Sequence, residues 1–459
     1  MSNNKVLTFR SGILFIVKII IVTLMALMFV FVLKNYYKEV DYYFKGYVVF
    51  GFLYYVIYAA FSSIYGCFKT GKQRIRTISF SHMLTIIFTN SIVYIIICLI
   101  ATQMLNLIPI LILSAAQTIA CVFLSFFANK IYTILYPARG SFLICTEKEE
   151  ALIFNKFKRV KAQYRIIETC HTSEGAETLK KRMEDYRVVI IGDVENSLRA
   201  EIITYCFEKN KRLFIMPTIQ DIMLRNSIQT QIGDTMVYLM KNKSNAFAFE
   251  QLLIKRVIDV VVSVFGIVIT SPIMLITALA IKINDRGPIL YKQDRYTRDN
   301  KIFTLIKFRS MVVDAEKEGA QFSTVGDERI TRVGNFIRKS RIDELPQLFN
   351  ILKGDMTLVG PRPERIENQD AYTAIMPQFQ YRSKVKAGLT GYAQIYGKYN
   401  TNFEDKVKMD LYYIENSSLI MDIKLLIYTL KVLFMKESTE GFKEKKLSEL
   451  KKKKKKDPG

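Results

Sequence analysis

Histidine is nearly absent: His82 and His171 are the only two, and neither stands in the second half of the chain. General base or nucleophilic work there must fall to other residue types. The six cysteines stop at Cys206 and include no Cys-x-x-Cys pair. This argues against a metal or redox motif and leaves them as buried or incidental reduced thiols. From Thr77 to Asn129 there is no Lys, Arg, Asp or Glu. A soluble domain does not carry so long an uncharged stretch, and a disordered chain does not carry half its residues apolar. Acidic charge is in deficit: 66 Lys plus Arg face 42 Asp plus Glu, a formal net charge of +24. An excess of that sign calls for anionic partners. The apolar segments decide that these are lipid and phosphorylated substrates, not nucleic acid.

Those segments come next. Residues 11–33, interrupted only by Lys18, and residues 46–66 are apolar runs. The uncharged stretch breaks near Asn106-Leu107-Ile108-Pro109, giving helices about 80–102 and 108–129. Each is long enough for a hydrocarbon core of about 30 Å. Lys69, Lys72, Arg74 and Arg76 crowd the second connection, and Lys130 and Arg139 follow the fourth helix. The positive-inside rule then puts both termini in the cytoplasm. The expected architecture starts with four transmembrane helices over 1–135.

From Ser141 the pattern changes to short apolar runs at 142–145, 164–167, 188–193 and 213–216, separated by charged amphipathic segments. That alternation predicts a parallel, doubly wound α/β sheet, Rossmann-like, over 136–240. The turn after its first strand, Cys145 to Glu150, has no glycine and carries three acids, which argues against dinucleotide binding. A regulatory, ligand-sensing or oligomerising role fits better. Residues 219–250 read as a closing helix and a polar linker, the linker proper being 241–251.

Val257 to Ile281 is apolar except for Asp259. Ser271-Pro272 lies near its middle, where proline removes a backbone hydrogen bond, and both flanks are basic. A re-entrant helix over 252–283, broken at Ser271 and Pro272 and returning to its own side, satisfies both flanks.

The densest chemistry lies beyond. Lys307-Phe308-Arg309-Ser310-Met311 is followed by Arg338 and Arg341, then Asp343-Glu344-Leu345-Pro346, then Gly360-Pro361-Arg362-Pro363, then Gly388-Leu389-Thr390-Gly391-Tyr392-Ala393-Gln394. Asp343 precedes an apolar helical pattern and is placed at or near an N-cap, where a carboxylate stays ionised and a phosphate is welcome. An ionised carboxylate can attack phosphorus. Glu344 beside it can help hold Mg²⁺, a cation that takes carboxylate and phosphate oxygens. Arg338, Arg341 and Arg362 offer planar forks for phosphate, and Pro361 and Pro363 stiffen the turn around Arg362.

Over 252–435 these strings, in this order and spacing, resemble the bacterial sugar transferase family, the monotopic polyprenyl-phosphate phosphoglycosyl transferases. The four N-terminal helices plus a Rossmann-like domain resemble its large form. The resemblance implies transfer of a sugar-1-phosphate from a UDP-sugar to undecaprenyl phosphate with release of UMP, starting a surface polysaccharide. It implies Asp343 as nucleophile, Glu344 as its partner, Arg338, Arg362 and Lys307 in the active site, and Mg²⁺ held by Asp343 and Glu344. Arg341, Arg309, Pro361, Pro363, Gly388, Thr390 and Gln394 are expected at the substrate. Tyr392 stands where many members carry tryptophan. The expected location is the cytoplasmic (inner) membrane of a bacterium, with the catalytic domain inside. Homo-oligomerisation stays open. The lysine-rich stretch 436–459 reads as a basic, solvated tail. A nucleotide-sugar dehydratase is disfavoured by the missing glycine fingerprint, and a non-catalytic scaffold by the intact Asp343, Glu344, Arg338 and Arg362.

Overall fold

A computed structural model of the chain describes residues 2–38, 45–71, 73–157, 164–240, 249–315, 327–397 and 401–433. Lys72, most of the expected 241–251 linker and the 436–459 tail lie outside these. The chain divides into two compact units, Met1–Pro217 and Thr218–Gly459.

The first unit opens with α1 (Ser2–Tyr36), α2 (Gly46–Tyr65), α3 (Ile75–Ala101) and α4 (Ile108–Leu135). All four are long and apolar enough to cross a membrane. α1 packs on α2 and α4, and α3 on α2 and α4, around a shared core that includes Met25, Phe29, Tyr54, Tyr58, Ile86 and Val93. The uncharged stretch breaks as the sequence indicates: α3 ends at Ala101 and Pro109 sits in the first turn of α4, where a missing N–H costs nothing.

The second part of this unit is β1 (Arg139–Cys145), α5 (Glu147–Phe157), β2 (Tyr164–His171), α6 (Ala176–Arg182), β3 (Val188–Ile191), α7 (Asn196–Glu208) and β4 (Arg212–Ile215). The four strands are all parallel, in the order β2-β1-β3-β4. Strand residues alternate between two faces. Phe142, Ile144, Val189 and Ile191 pack with Leu179 of α6 and Ile202 of α7. Leu143, Cys145 and Ile190 pack with Ile153 of α5. Helices therefore cover both faces, which is why the central strands are continuous apolar runs.

The second unit begins with α8 (Ile219–Leu224) and the antiparallel hairpin β5 (Ile228–Ile232) and β6 (Thr235–Leu239). The sequence boundary at 240 moves here. Ile219 and Ile222 of α8 belong to the core of the second unit, with Val407, Leu411 and Ile414, so α8 is not a closing helix of the sheet. The hairpin falls within the 219–250 stretch that the sequence reads as a closing helix and polar linker.

Next come α9 (Phe249–Asp285), the hairpin β7 (Leu290–Tyr296) and β8 (Ile302–Phe308), and α10 (Arg332–Lys339). A 3₁₀ turn (Ile342–Glu344) then leads into α11 (Gln347–Lys353), β9 (Thr357–Val359) and α12 (Ile366–Ile375). A 3₁₀ segment (Pro377–Lys384), β10 (Gly388–Thr390), α13 (Tyr392–Tyr396), α14 (Phe403–Glu415) and α15 (Leu419–Leu433) complete it. α9 is the fifth helix apolar and long enough to cross a membrane. These five helices mark the chain as a membrane protein.

Candidate active site

The site is assembled from three places in the second unit. The first is the turn that carries Asp343 and Glu344. Thr331 caps α10 by accepting the Gly334 N–H at 2.8 Å. α10 ends, and Arg341 takes a left-handed conformation at φ 59°, which turns the chain sharply. Helical geometry resumes at Ile342, earlier than the apolar pattern suggests. Pro346 has no N–H to reach back one α-turn, so the Ile342 carbonyl accepts from Leu345 instead, at 3.1 Å. That tightens 342–344 into a 3₁₀ turn. The N-cap expectation for Asp343 is corrected accordingly. Pro346 holds the N-cap position of α11, and Asp343 lies inside the preceding turn, its Oδ1 buried without a hydrogen-bond partner.

The second place is the Gly360–Glu364 turn. β9 and β10 pair in parallel, with the Gly360 N–H donating to the Thr390 carbonyl and the Gly388 N–H to the Pro361 carbonyl, both at 2.8 Å. Backbones meet so closely that a Cβ on Gly388 would lie 2.1 Å from the Gly360 nitrogen, which explains glycine there. Arg362 leaves this turn and donates to Glu344 Oε1 at 2.8 Å. Arg341 Nη1 approaches the same oxygen at 3.3 Å.

The third place is the β7–β8 hairpin, whose register pairs Tyr291 with Lys307. Lys307 Nζ lies 5.0 Å from the Tyr291 ring centroid. Arg295, on the same face of the hairpin, reaches the Pro363 carbonyl at 3.3 Å. Arg338 comes from the last turn of α10.

The electrostatics of the two adjacent acids diverge. Burial, then the neighbouring Glu344 charge, raises the Asp343 carboxyl above the usual range, against the pull of Lys307, Arg338 and Arg341. Burial works to raise Glu344 as well, but Arg362 and then Arg341 outweigh it and hold that carboxyl low. Burial brings the Lys307 ammonium down to about 8; Asp343 opposes this, and Arg295, Arg362 and Arg338 add to it. Glu344 drives Arg362 further up. One carboxylate is thus committed to arginine, while the other keeps an unpartnered oxygen amid cations. Pairs of acids pushed apart in this way are a hallmark of reactive sites.

Other expected site residues lie elsewhere in the architecture. Arg309 is buried and pairs with Asp285 at the end of α9. Thr390 bonds Thr429 at 2.8 Å, and Gln394 donates to the Leu389 carbonyl at 2.9 Å. Together with Gly388, Pro361 and Pro363, they build the strand pair and turn behind Arg362. Tyr392 packs on Tyr396 and Tyr412. Sequence reasoning missed Arg295 and Arg382. Arg382, 4% exposed, donates to Asp410 at 2.8 Å and to the Arg362 carbonyl at 2.8 Å. Neither lies in a Gly/Pro turn or beside an acid pair, the signals that marked the rest.

Among the described residues, no group of three or more His, Cys, Asp or Glu could hold a metal. Asp343, with its unpartnered oxygen, and Glu344 supply at most two carboxylates. That fits a Mg²⁺ whose remaining ligands are phosphate oxygens and water.

The comparisons with known proteins converge on this unit. The family model for bacterial sugar transferases matches residues 250–436. The uncharacterized sugar transferase EpsL of Bacillus subtilis is 37% identical over 190 residues, covering 41% of this chain and 91% of EpsL. The chain belongs to the bacterial sugar transferase family. A UDP-N-acetylgalactosamine-undecaprenyl-phosphate N-acetylgalactosaminephosphotransferase of Aeromonas hydrophila is 44% identical over 183 residues, 39% of this chain and 43% of that protein. A UDP-glucose:undecaprenyl-phosphate glucose-1-phosphate transferase of Klebsiella pneumoniae is 35% identical over 229 residues, 48% of this chain and 49% of that protein. The match spans less than half the length of these two larger relatives. The matched region holds Lys307, Arg338, Asp343, Glu344 and Arg362. The parallel sheet of the first unit lies outside it. There the Glu149 carboxylate accepts the Asp193 N–H at 2.9 Å, placing a fixed anion between β1 and β3, at the crevice where such sheets hold nucleotides.

Proposed function

We propose that this protein transfers a sugar-1-phosphate from a UDP-sugar to a polyprenyl phosphate at the cytoplasmic membrane face, releasing UMP. In this reading it initiates a surface polysaccharide, as do transferases of its family. One observation carries the reading: the buried, unpartnered Asp343 Oδ1, next to a Glu344 that two arginines already neutralise. Asp343 is left as a carboxylate nucleophile whose raised proton affinity strengthens it. It attacks the sugar-linked phosphorus, the phosphorus–oxygen bond to UMP breaks, and UMP leaves with the electron pair. An oxygen of the polyprenyl phosphate then attacks the same phosphorus and frees Asp343. Lys307, Arg338, Arg341 and Arg362 outnumber the two acids and offset the charge gathering on the phosphoryl oxygens, the main demand of such transfers. Mg²⁺ held by Asp343 and Glu344 with the diphosphate would lower the repulsion between anions.

The re-entrant course of α9 belongs to the same proposal. A straight helix of 37 residues runs about 55 Å. Near its start, Arg256 bonds the Ile351 and Leu352 carbonyls, and Asp259 accepts from Thr357 and the Leu358 N–H. Near its end, Ile281 packs with Phe308 and Ile337, and Asp285 pairs with Arg309. Both ends are thus fastened to one unit, while Phe265, Val268, Ile269 and Ile276 between them are exposed. Pro272 supplies no N–H to the Val268 carbonyl, and the Ser271 hydroxyl donates to it at 2.8 Å. α9 runs unbroken through Ser271 and Pro272, which corrects the break expected there; its two fastened ends support a helix that dips into one leaflet, with the site at headgroup depth. The basic loop before α3 supports a cytoplasmic location for both termini by the positive-inside rule.

The test is UMP release by purified protein in nanodiscs with Mg²⁺, undecaprenyl phosphate and a panel of UDP-sugars. Release is expected with one or a few sugars. Asp343→Asn is expected to lower it by at least about 10³-fold. Release that persists in Asp343→Asn would sink the covalent route. Silence of folded wild type across the panel would favour the scaffold reading.

A further inference from the structure

Two arginines, the buried Arg382 and the half-buried Arg295, grip the turn that carries Arg362. Arg382 Nη2 donates to the Arg362 carbonyl at 2.8 Å. Arg295 Nη1 donates to the next carbonyl, that of Pro363, at 3.3 Å. They come from different elements, the 3₁₀ segment 377–384 and strand β7. Each is itself anchored. Arg382 holds Asp410 through Nε at 3.1 Å and Nη2 at 2.8 Å, and faces Glu364 at 3.5 Å. Arg295 holds Gln293 Oε1 at 2.6 Å, and its strand position bridges Arg365. The proline rings at 361 and 363 fix φ at those residues and confine Arg362 to extended backbone. The two guanidinium contacts fix the planes of the peptide groups that follow Arg362 and Pro363. With the backbone so restrained, the Arg362 side chain meets Glu344 at 2.8 Å.

We infer that Arg382 and Arg295 are positioning residues of the transfer reaction, acting through Arg362 by locking the Pro361–Glu364 turn from two different elements. The inference rests on the function proposed above. It extends the reactive constellation by two residues that the sequence does not mark. Lysine at either position keeps the charge but loses the rigid fork that spans several acceptors.

A double-mutant cycle decides it. UMP release is followed with enzyme in excess over UDP-sugar, for wild type, Arg382→Lys, Arg362→Gln and the double variant. Misplacement by about 1 Å costs about 100-fold, so Arg382→Lys is expected to slow wild type on that scale. In the Arg362→Gln background the same change is expected to cost less than about twofold, the scatter of independent sites. Equal slowing in both backgrounds overturns the inference, because a residue that merely supports the fold costs the same with or without Arg362. Arg295→Lys runs through the same cycle with the same expectation, and carries the test alone if Arg382→Lys fails to fold by thermal melting. An active wild type with additive losses overturns the positioning role only. A silent wild type takes down the transferase reading, and this inference with it.

Discussion

Two arginines in this chain each face two carboxylates, in opposite settings. Arg182, at the end of α6 in the first unit, pairs with Glu168 and Glu174 at 41% side-chain exposure. Arg382, in the second unit, pairs with Asp410 and Glu364 at 4%. The sheet keeps its charges outside and its strands apolar: Val188, Val189, Ile190 and Ile191 are fully buried. The second unit does the reverse. Asp259, Arg309, Arg382, Asp410, Asp422 and Lys431 are all buried, and its paired strands β9 and β10 have three residues each. Burying charge is expensive unless every partner is in place. A region that does so repeatedly uses charge to fix loops that apolar packing alone would leave loose. In this chain that region contains the acid pair and the matched family segment.

The lysines repeat the contrast. Lys180 lies on the surface between Glu177 and Glu201, and its hydrogen bond to Glu177, then that to Glu201, raises its proton affinity. Lys307 is half-buried among Arg295, Arg338 and Arg362, and burial, opposed by Asp343 and aided by those cations, lowers its pKa to about 8.

The largest expected effect tests the interior side of the comparison. Asp410→Ala leaves Arg382 buried with one anion fewer, and removing one partner of a buried pair costs about 3–5 kcal/mol. Chemical denaturation of the full chain is expected to report that loss in the transition assigned to the second unit. A loss below about 1 kcal/mol, the scale of surface pairs, would erase the distinction drawn here.

A smaller effect concerns Lys307. In the proposed function it faces phosphate as an ammonium, so activity should be lost as pH rises through its lowered value. An alkaline limb near 8 is expected in kcat/KM for UMP release, which reports the free enzyme. Arginine stays protonated over this range, so Lys307→Arg should retain part of the activity and shed that limb. A limb that persists in Lys307→Arg belongs to another group.

The two regions also differ in how much the sequence disclosed. The sheet was legible because its determinants are local: strands at 142–145, 164–167, 188–193 and 213–216 fall within or overlap β1 to β4, since apolar runs and turn residues lie side by side in the chain. The four long apolar helices α1 to α4 were legible for the same reason. In the second unit, the acid pair and the Pro-Arg-Pro turn stood out as strings, but their arrangement did not. The 3₁₀ turn at Asp343 depends on one absent N–H at Pro346. Arg382 and Asp410 are 28 residues apart, and Arg295 and Pro363 are 68 apart. No periodicity announces such pairs, and Arg309, marked by its motif, instead serves Asp285. The α8 boundary went astray because Ile219 and Ile222 read as apolar without saying which core receives them.

The smallest expected effect is the sharpest control. Arg182→Met removes a cation that donates to Glu168 Oε1 at 2.8 Å through Nε and also meets Glu174, so by pair geometry it resembles the Arg382 site. Its partners, however, lie open to water. Water and salt take over the solvation of Glu168 and Glu174 once the guanidinium is gone, and the methionine still covers part of the same apolar stem surface. The melting temperature is expected to stay within measurement scatter, with any residual difference shrinking as salt is added, and UMP release should be unchanged. A loss as large as that from Asp410→Ala would mean that the surface network holds its fold as firmly as the buried one. Burial would then not be what separates the two arginines.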